Sequence, residues 1–189
     1  MMKESAAEFV ILGLLSYTSM TGYDINKAVK TRMSSFWDIG YGQIYPTLRM
    51  LEKDGYVTKK VEIKENGPNR KVYSVTNKGT KKLQKWLMKP AKPEIFRFEA
   101  LLKIAFGEQV PKHETIKHIE ELRARTEETL ENLICIEKEI NAHLNEDEGY
   151  FFTLLPVLLG KNIYKSTIEW ANAAIKMIEE KNKKEENGR

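Results

Sequence analysis

Tyr41-Gly42-Gln43-Ile44-Tyr45-Pro46-Thr47-Leu48-Arg49-Met50-Leu51-Glu52-Lys53-Asp54-Gly55 is the stretch on which the fold turns. Ile44, Leu48 and Leu51 are spaced by four and three, the repeat that gathers side chains on one side of a helix. On a wheel with Ile44 at the origin, Leu48 and Leu51 both lie within about 40° of it. Tyr45, Arg49, Lys53, Pro46, Met50 and Gln43 fall on the other side. Pro46 is expected near the helix start, where a missing N–H costs little. Gly55 is expected just past the helix end, where the chain turns left-handed.

Upstream, Phe9–Leu15 is apolar almost all round, as a helix buried in a small core would be. Thr21-Gly22-Tyr23-Asp24 then reads as a helix cap with a carboxylate in the first turn, followed by one stripe of Ile25, Val29 and Met33. Phe36 and Trp37 lie in the loop that follows. Downstream of Gly55 the period drops to two. Val57, Lys59, Val61 and Ile63 are set to face one way, and Thr58, Lys60, Glu62 and Lys64 the other. Asn66-Gly67 separates this run from Lys71–Thr76, a strong hairpin signal. Thr76 or Asn77 caps a fourth helix, with Leu83, Trp86 and Leu87 inward and Lys78, Lys81, Lys82, Lys85 and Lys89 outward.

Three short helices followed by a hairpin make a winged helix-turn-helix, which offers its third helix to a DNA major groove and its hairpin to the flanking backbone. The third helix carries the right chemistry. Gln43 can bond adenine bidentately, Arg49 can take guanine or a phosphate, and Tyr45 offers a ring and a hydroxyl. An ordinary solvated face is the competing reading of that stripe. The hairpin weighs against it: Lys64, Asn69, Arg70 and Lys71 crowd cations and an amide at one tip, where a phosphate relieves their repulsion. Basic residues also blunt an exposed sheet edge, and both roles can hold together.

The chain has 189 residues, of which 41% are hydrophobic and 31% charged, a composition that excludes a disordered chain and a membrane protein. Two of its six prolines fall in Lys89–Glu94, which marks a boundary. Residues 1–89 are expected to form the winged-helix domain, 90–94 a linker, and 95–189 a helical domain. The first domain holds 16 Lys+Arg against 8 Asp+Glu, a net of +8, while the remainder of the chain nets −4. A basic module joined to an acidic one fits a polyanion-facing half and a half with another task.

In combination and order, these residues resemble PadR-type transcriptional regulators. Tyr41–Gly55 is similar to the third helix of that family, and Asn69–Gly79 to its wing and next helix. Ile11–Leu15 and Thr21–Ile25 fit the first two helices. Phe96–Gly107 is similar to the helix after the linker in the long-tailed subgroup, which includes phenolic-acid repressors and virulence activators. The resemblance implies a homodimer whose C-terminal helices pack on the partner. In the repressor branch it also implies a small aromatic or phenolic effector bound near the domain junction. Aromatic residues near that seam, Phe36, Trp37, Trp86, Phe96 and Phe98, are the candidate lining; plain packing is their other reading.

The second half supports long helices on its own account. Leu122, Leu130, Leu133 and Ile140 belong to an approximate coiled-coil seam on a helix of about 30 residues. Ile168, Ala171, Ile175 and Ile178 form a matching stripe on the last helix, and the charged tail from Glu179 is expected to fray at its end. These eight residues are the candidate dimer contacts, because long amphipathic helices need cover for their stripes. A helix pair packed within one chain is the alternative.

Catalytic patterns are missing from the sequence. His113, His118 and His143 lack metal-ligand spacing, and no HExxH, phosphate-loop or GxSxG pattern occurs. The enzyme reading is therefore rejected, and no cofactor or metal is expected. Cys135, the single cysteine, sits between Ile134 and Ile136 and is read as a small core residue. The longest apolar run, Phe9–Leu15, falls far short of the ~20 residues that cross a bilayer, so a cytoplasmic location is expected. The fold class is mainly α with a small β-hairpin wing: an N-terminal winged helix-turn-helix and C-terminal antiparallel long helices. The expected function is a dimeric, sequence-specific regulator, a repressor on a near-palindromic double-stranded DNA operator. Tyr23, Tyr41, Gln43, Tyr45, Arg49, Lys64, Asn69, Arg70 and Lys71 are its candidate DNA contacts. A winged-helix adaptor that binds protein and no operator is the alternative, and it would expose apolar anchors on the third helix.

Overall fold

A computed structural model describes residues 5–33, 36–63, 69–93, 97–146 and 148–187. Two of the sequence-derived candidates, Lys64 and Phe96, lie outside the described residues. The chain is mostly helical with one small antiparallel sheet, and it divides into two compact units, residues 1–93 and 94–189.

The first unit runs α1 (Ala6–Tyr17), β1 (Met20–Thr21), α2 (Gly22–Arg32), α3 (Tyr41–Lys53), β2 (Val57–Glu62), β3 (Arg70–Val75) and α4 (Asn77–Leu87). The apolar character of α1 has a simple cause: it is the central helix, packed by α2, α3, α4 and β3. Its Ile11, Leu12 and Leu15 meet Ile25 and Val29 of α2 and Ile44, Leu48 and Leu51 of α3 in one core. At its start Glu8 reciprocates the cap of Ser5 and accepts an ion pair from Lys82 of α4 at 2.6 Å. Beside that pair the rings of Phe9 and Trp86 stack, with centroids 4.5 Å apart and planes 6° from parallel. Leu87, read as inward from the pattern of α4, is instead 64% exposed. It follows the one-turn contact made by Leu83 and Trp86 and finds nothing left to pack on.

Helix ends follow their local chemistry. The Thr21 hydroxyl accepts from the Asp24 N–H at 3.2 Å, and the Thr21 N–H and hydroxyl both donate to the Asp24 carboxylate. These bonds, led by the hydroxyl, hold the Asp24 pKa below its ordinary value. Gly55 takes φ 73° and ends α3. Thr76, the cap of α4, has one hydroxyl serving three neighbours: it accepts from the Gly79 N–H and lies 2.9 and 3.1 Å from the Gly55 and Tyr56 carbonyls. Thr76→Ala is expected to lose about 1 kcal/mol, as cap deletions do, read as a lowered thermal midpoint. An unchanged midpoint would remove the cap from the account.

The sheet has three strands in the order β1-β3-β2, all antiparallel. The sequence pattern yields only the β2–β3 hairpin, since two residues, Met20 and Thr21, are too few to show alternation. The one-sided set Val57, Lys59, Val61 and Ile63 is buried only at Val57. Val61 is 47% and Ile63 83% exposed, because the hairpin's outer half extends past the core that Val57 and Tyr73 close.

The second unit comprises α5 (Glu99–Ala105), a 3₁₀ turn (Gly107–Gln109), α6 (Lys112–Ala142) and α7 (Glu148–Asn187). Arg123 bonds Asn172 across α6 and α7, and Glu137 pairs with Lys161, so the two helices run antiparallel. Leu133, Ile140 and Val157 centre their contact. Gly160 permits it: a Cβ there would lie 3.0 Å from Leu133 Cδ1. The seam proposed for a partner is thus largely closed within one chain. Leu122, Leu133, Ile140 and Ala171 are buried by it, and Leu130, Ile168, Ile175 and Ile178 are half-buried. Periodicity reveals a stripe and not its cover, and here α7 supplies that cover.

Cys135 is corrected outright: it is exposed. Two residues along a helix turn about 200°, so burial of Leu133 sends Cys135 to the far face. α7 continues into the charged tail as far as Asn187. Glu and Lys are good helix formers, and Lys176 and Glu180 face each other one turn apart.

Candidate nucleic-acid interface

Gly40 caps α3, and the core stripe Ile44, Leu48 and Leu51 sets the helix's rotation by being fully buried. That rotation leaves Tyr41, Gln43, Tyr45 and Arg49 exposed, with Gln43 on the opposite flank from the two tyrosines. Pro46 corrects the expectation of a cost-free start. The Ile44 N–H already bonds the Gly40 carbonyl at 3.0 Å, so the helical ladder has begun. Pro46, two residues further, has no N–H for the carbonyl of Gly42.

The exposed side of α3 is held by contacts that sequence pattern does not reveal. The rings of Tyr41 and Tyr45 stack, with centroids 6.0 Å apart and planes within 14°. Tyr45 also lies directly on Gly22 at the start of α2, where a Cβ would come within 2.6 Å of its Cε1. Gly22 is buried beneath that ring, while its neighbour Tyr23 is exposed. The glycine therefore lets an aromatic side chain of α3 close over the backbone of α2, fixing the angle between the two helices. Nothing in the spacing of either segment announces this contact.

A second support comes from the hairpin. Lys59 of β2 pairs with Glu52 of α3 at 2.7 Å, and that carboxylate holds the lysine pKa up. Opposite Lys59 in the register is Tyr73, which is only 4% exposed and whose pKa burial raises. Its electrostatic neighbours include Tyr45 and Arg49, so it lies close to the exposed side of α3. Tyr73 escaped the sequence reading because alternation in β3 does not say which set faces inward.

Asn69, Arg70 and Lys71 are all exposed. Consecutive strand residues point to opposite faces, so Arg70 and Lys71 do not converge on a single phosphate. Arg70 lies near enough to Asp24 to help lower its pKa, which puts it on the side of the α2 start. Lys71 stands opposite Val61 in the register, on the face shared by Lys59 and Tyr73.

The aromatic candidates belong to different elements. Phe36 and Trp37 are exposed in the loop between α2 and α3, Trp86 is occupied on one side by Phe9, and Phe98 is exposed where it caps α5. Among the described residues, no helix is long and apolar enough to cross a membrane.

Comparison with known proteins fits this architecture in both units. Residues 11–85 match the profile of the PadR-like family of transcriptional regulators, and residues 96–179 match the C-terminal region described as virulence activator alpha. The chain belongs to the PadR-like family. It is 26% identical over 179 residues to the negative transcriptional regulator PadR of Bacillus subtilis, covering 91% of this chain and 97% of that one. The fold matches B. subtilis PadR solved with operator DNA at a TM-score of 0.79 and 24% identity, over 92% of this chain and 99% of that one. The same Bacillus protein solved with p-coumaric acid matches at 0.75, with 24% identity over 93% and 99%. The structure of smu.1604c from Streptococcus mutans matches at 0.75 and 32% identity, over 91% and 99%. This chain is accordingly a transcriptional regulator of the PadR family, with the family's winged helix.

Proposed function

We propose that this PadR-family chain is a homodimeric repressor that reads a near-palindromic operator through α3 and is released by a small aromatic acid. The exposed set Gln43, Tyr45 and Arg49, in which Tyr45 rests on Gly22, carries the reading. Gln43, Tyr45 and Arg49 would fix register and sequence in the major groove, and Tyr23 and Tyr41 would meet the sugar-phosphate backbone. Asn69, Arg70, Lys71 and Lys64 would hold phosphates on either side of the hairpin.

The dimer is supported by apolar surface that the single chain leaves open. Phe151, Phe152, Leu155, Leu159 and Ile163 of α7 are exposed, more than monomeric helices usually leave in water. A partner would cover these residues, and Leu130, Ile168, Ile175 and Ile178 at the edge of the seam. An effector of the p-coumarate class is supported by the liganded Bacillus relative and by the exposed rings of Phe36, Trp37 and Phe98.

The test is selection of bound duplexes from a random library by the full chain, followed by titration of the selected duplex against a scrambled one. A preference of about 10³-fold or more is expected; equal, steeply salt-dependent binding to both would overturn the sequence-specific reading. Arg70→Ala is expected to weaken binding to both duplexes alike and to lower the salt slope by about one unit. A loss confined to the selected duplex would instead make Arg70 a base reader.

A further inference from the structure

We infer that the outer face of α4 is a second phosphate-binding surface, which holds the backbone of a DNA segment other than the one lying on α3. The inference rests on the reading of α3 above only in calling this surface the second. Lys78, Lys81, Lys82 and Lys85 stand at i, i+3, i+4 and i+7, so a single helix face carries four ammonium groups over about 10 Å. They line a groove of about 540 Å³, together with Tyr56, Trp86 and Lys89.

The charges in that groove are organised and largely uncompensated. Lys78 donates to the Asp54 backbone carbonyl at 2.7 Å and lies 4.7 Å from the centre of the Tyr56 ring. Lys82 lies 4.3 Å from the same ring and takes the carboxylate of Glu8. Lys81 and Lys85 make no hydrogen bond or ion pair among the described residues. One carboxylate therefore answers four cations. Like charges one turn apart destabilise a helix, and a row of phosphates removes that repulsion while releasing condensed counterions. Tyr56 contributes by holding two ammonium groups over its ring, where they keep their charge without being neutralised. A continuous polyanion suits an elongated row of cations better than a single small anion, which could neutralise only part of it.

The row and the exposed side of α3 belong to different helices of one unit. Helices α3 and α4 both pack on α1, each through its buried stripe. Buried Gly79 and Leu83 lie on the side of α4 away from the lysines, as Ile44, Leu48 and Leu51 lie on the side of α3 away from Gln43 and Arg49. Each exposed face thus projects from a shared core, and the second duplex in the assay below is what separates one surface from the other.

The test is a bridging assay with the full chain at about 50 mM salt. Protein saturating an immobilised selected duplex is challenged with a labelled duplex of unrelated sequence. Capture of the second duplex is expected, falling steeply as salt rises. The double variant Lys81→Glu/Lys85→Glu should lose capture by about tenfold or more and flatten its salt slope by about two units. Its binding to the immobilised duplex should stay within about twofold, since Lys81 and Lys85 make no hydrogen bond or ion pair among the described residues through which α3 could be disturbed. The milder Lys81→Gln/Lys85→Gln pair should give an intermediate loss. No capture by the unaltered protein, or equal capture by the charge-reversed one, would overturn the inference. Failure of the α3 reading would register separately, as a library selection that yields no preferred sequence.

Discussion

Gly79→Ala is expected to destabilise the first unit by about 3 kcal/mol, a large loss for a single methyl group. Gly79 is the third residue of α4 and is buried where that helix passes Tyr56 and Val75. A Cβ there would sit 2.2 Å from the Tyr56 carbonyl oxygen and 2.9 Å from Val75 Cγ2. The carbonyl is the harder obstacle because it is backbone. It already accepts the Thr76 N–H at 3.0 Å and the Thr76 hydroxyl at 3.1 Å. Relief would require either breaking those bonds or lifting the start of α4 off Tyr56, which also separates Glu8 from Lys82. Gly13→Ala is the matched control: its Cβ would meet nothing within 4 Å, so the better helix former should be neutral or stabilising by up to about 1 kcal/mol. Thermal denaturation of the two variants checks the pair. A midpoint for Gly79→Ala lowered no further than that of Thr76→Ala would refute the steric account.

Gln43→Ala is expected to cost roughly 1–3 kcal/mol at the selected duplex and little on scrambled DNA, the signature of a lost bidentate base contact. Gln43 is exposed on α3 and carries no charge, so its loss should leave the salt slope unchanged. Gly22→Ala should imitate it from a distance. The added methyl would strike the Tyr45 ring at 2.6 Å, and a side chain can swing away where a backbone cannot. Stability should therefore change much less than in Gly79→Ala, while the displaced Tyr45 costs about tenfold in specific affinity. Anisotropy titrations at two salt concentrations separate the terms. If Gln43→Ala weakened both duplexes equally, the division between reading helix and phosphate-holding hairpin would be wrong.

Local chemistry made most of the first unit legible. The four-and-three spacing of Ile44, Leu48 and Leu51 dictates both the helix and the side it buries, and therefore which residues α3 presents. Thr21 with Asp24, Gly55, and Thr76 are end signals that act within a few residues, and each operates as its type demands. The candidate site was legible to the same depth. Gln43, Tyr45 and Arg49 could be named because exposure follows from the buried stripe. Gly22 and Tyr73 could not, because their roles depend on segments far along the chain.

By itself, then, the sequence determined three short helices, a hairpin, a capped fourth helix and long amphipathic helices beyond the prolines. Tertiary structure alone decided what covers each stripe. It closed the α6 seam with α7 of the same chain, placed exposed Cys135 opposite Leu133, and joined Met20 and Thr21 to the hairpin as a third strand. It also laid Tyr45 over Gly22 and left Ile63 beyond the core. The reason is physical: helix and strand periods and caps are set by bonds within a few residues, whereas burial of an apolar face is satisfied equally by any surface of the right shape. Which surface arrives is a property of the whole chain's packing.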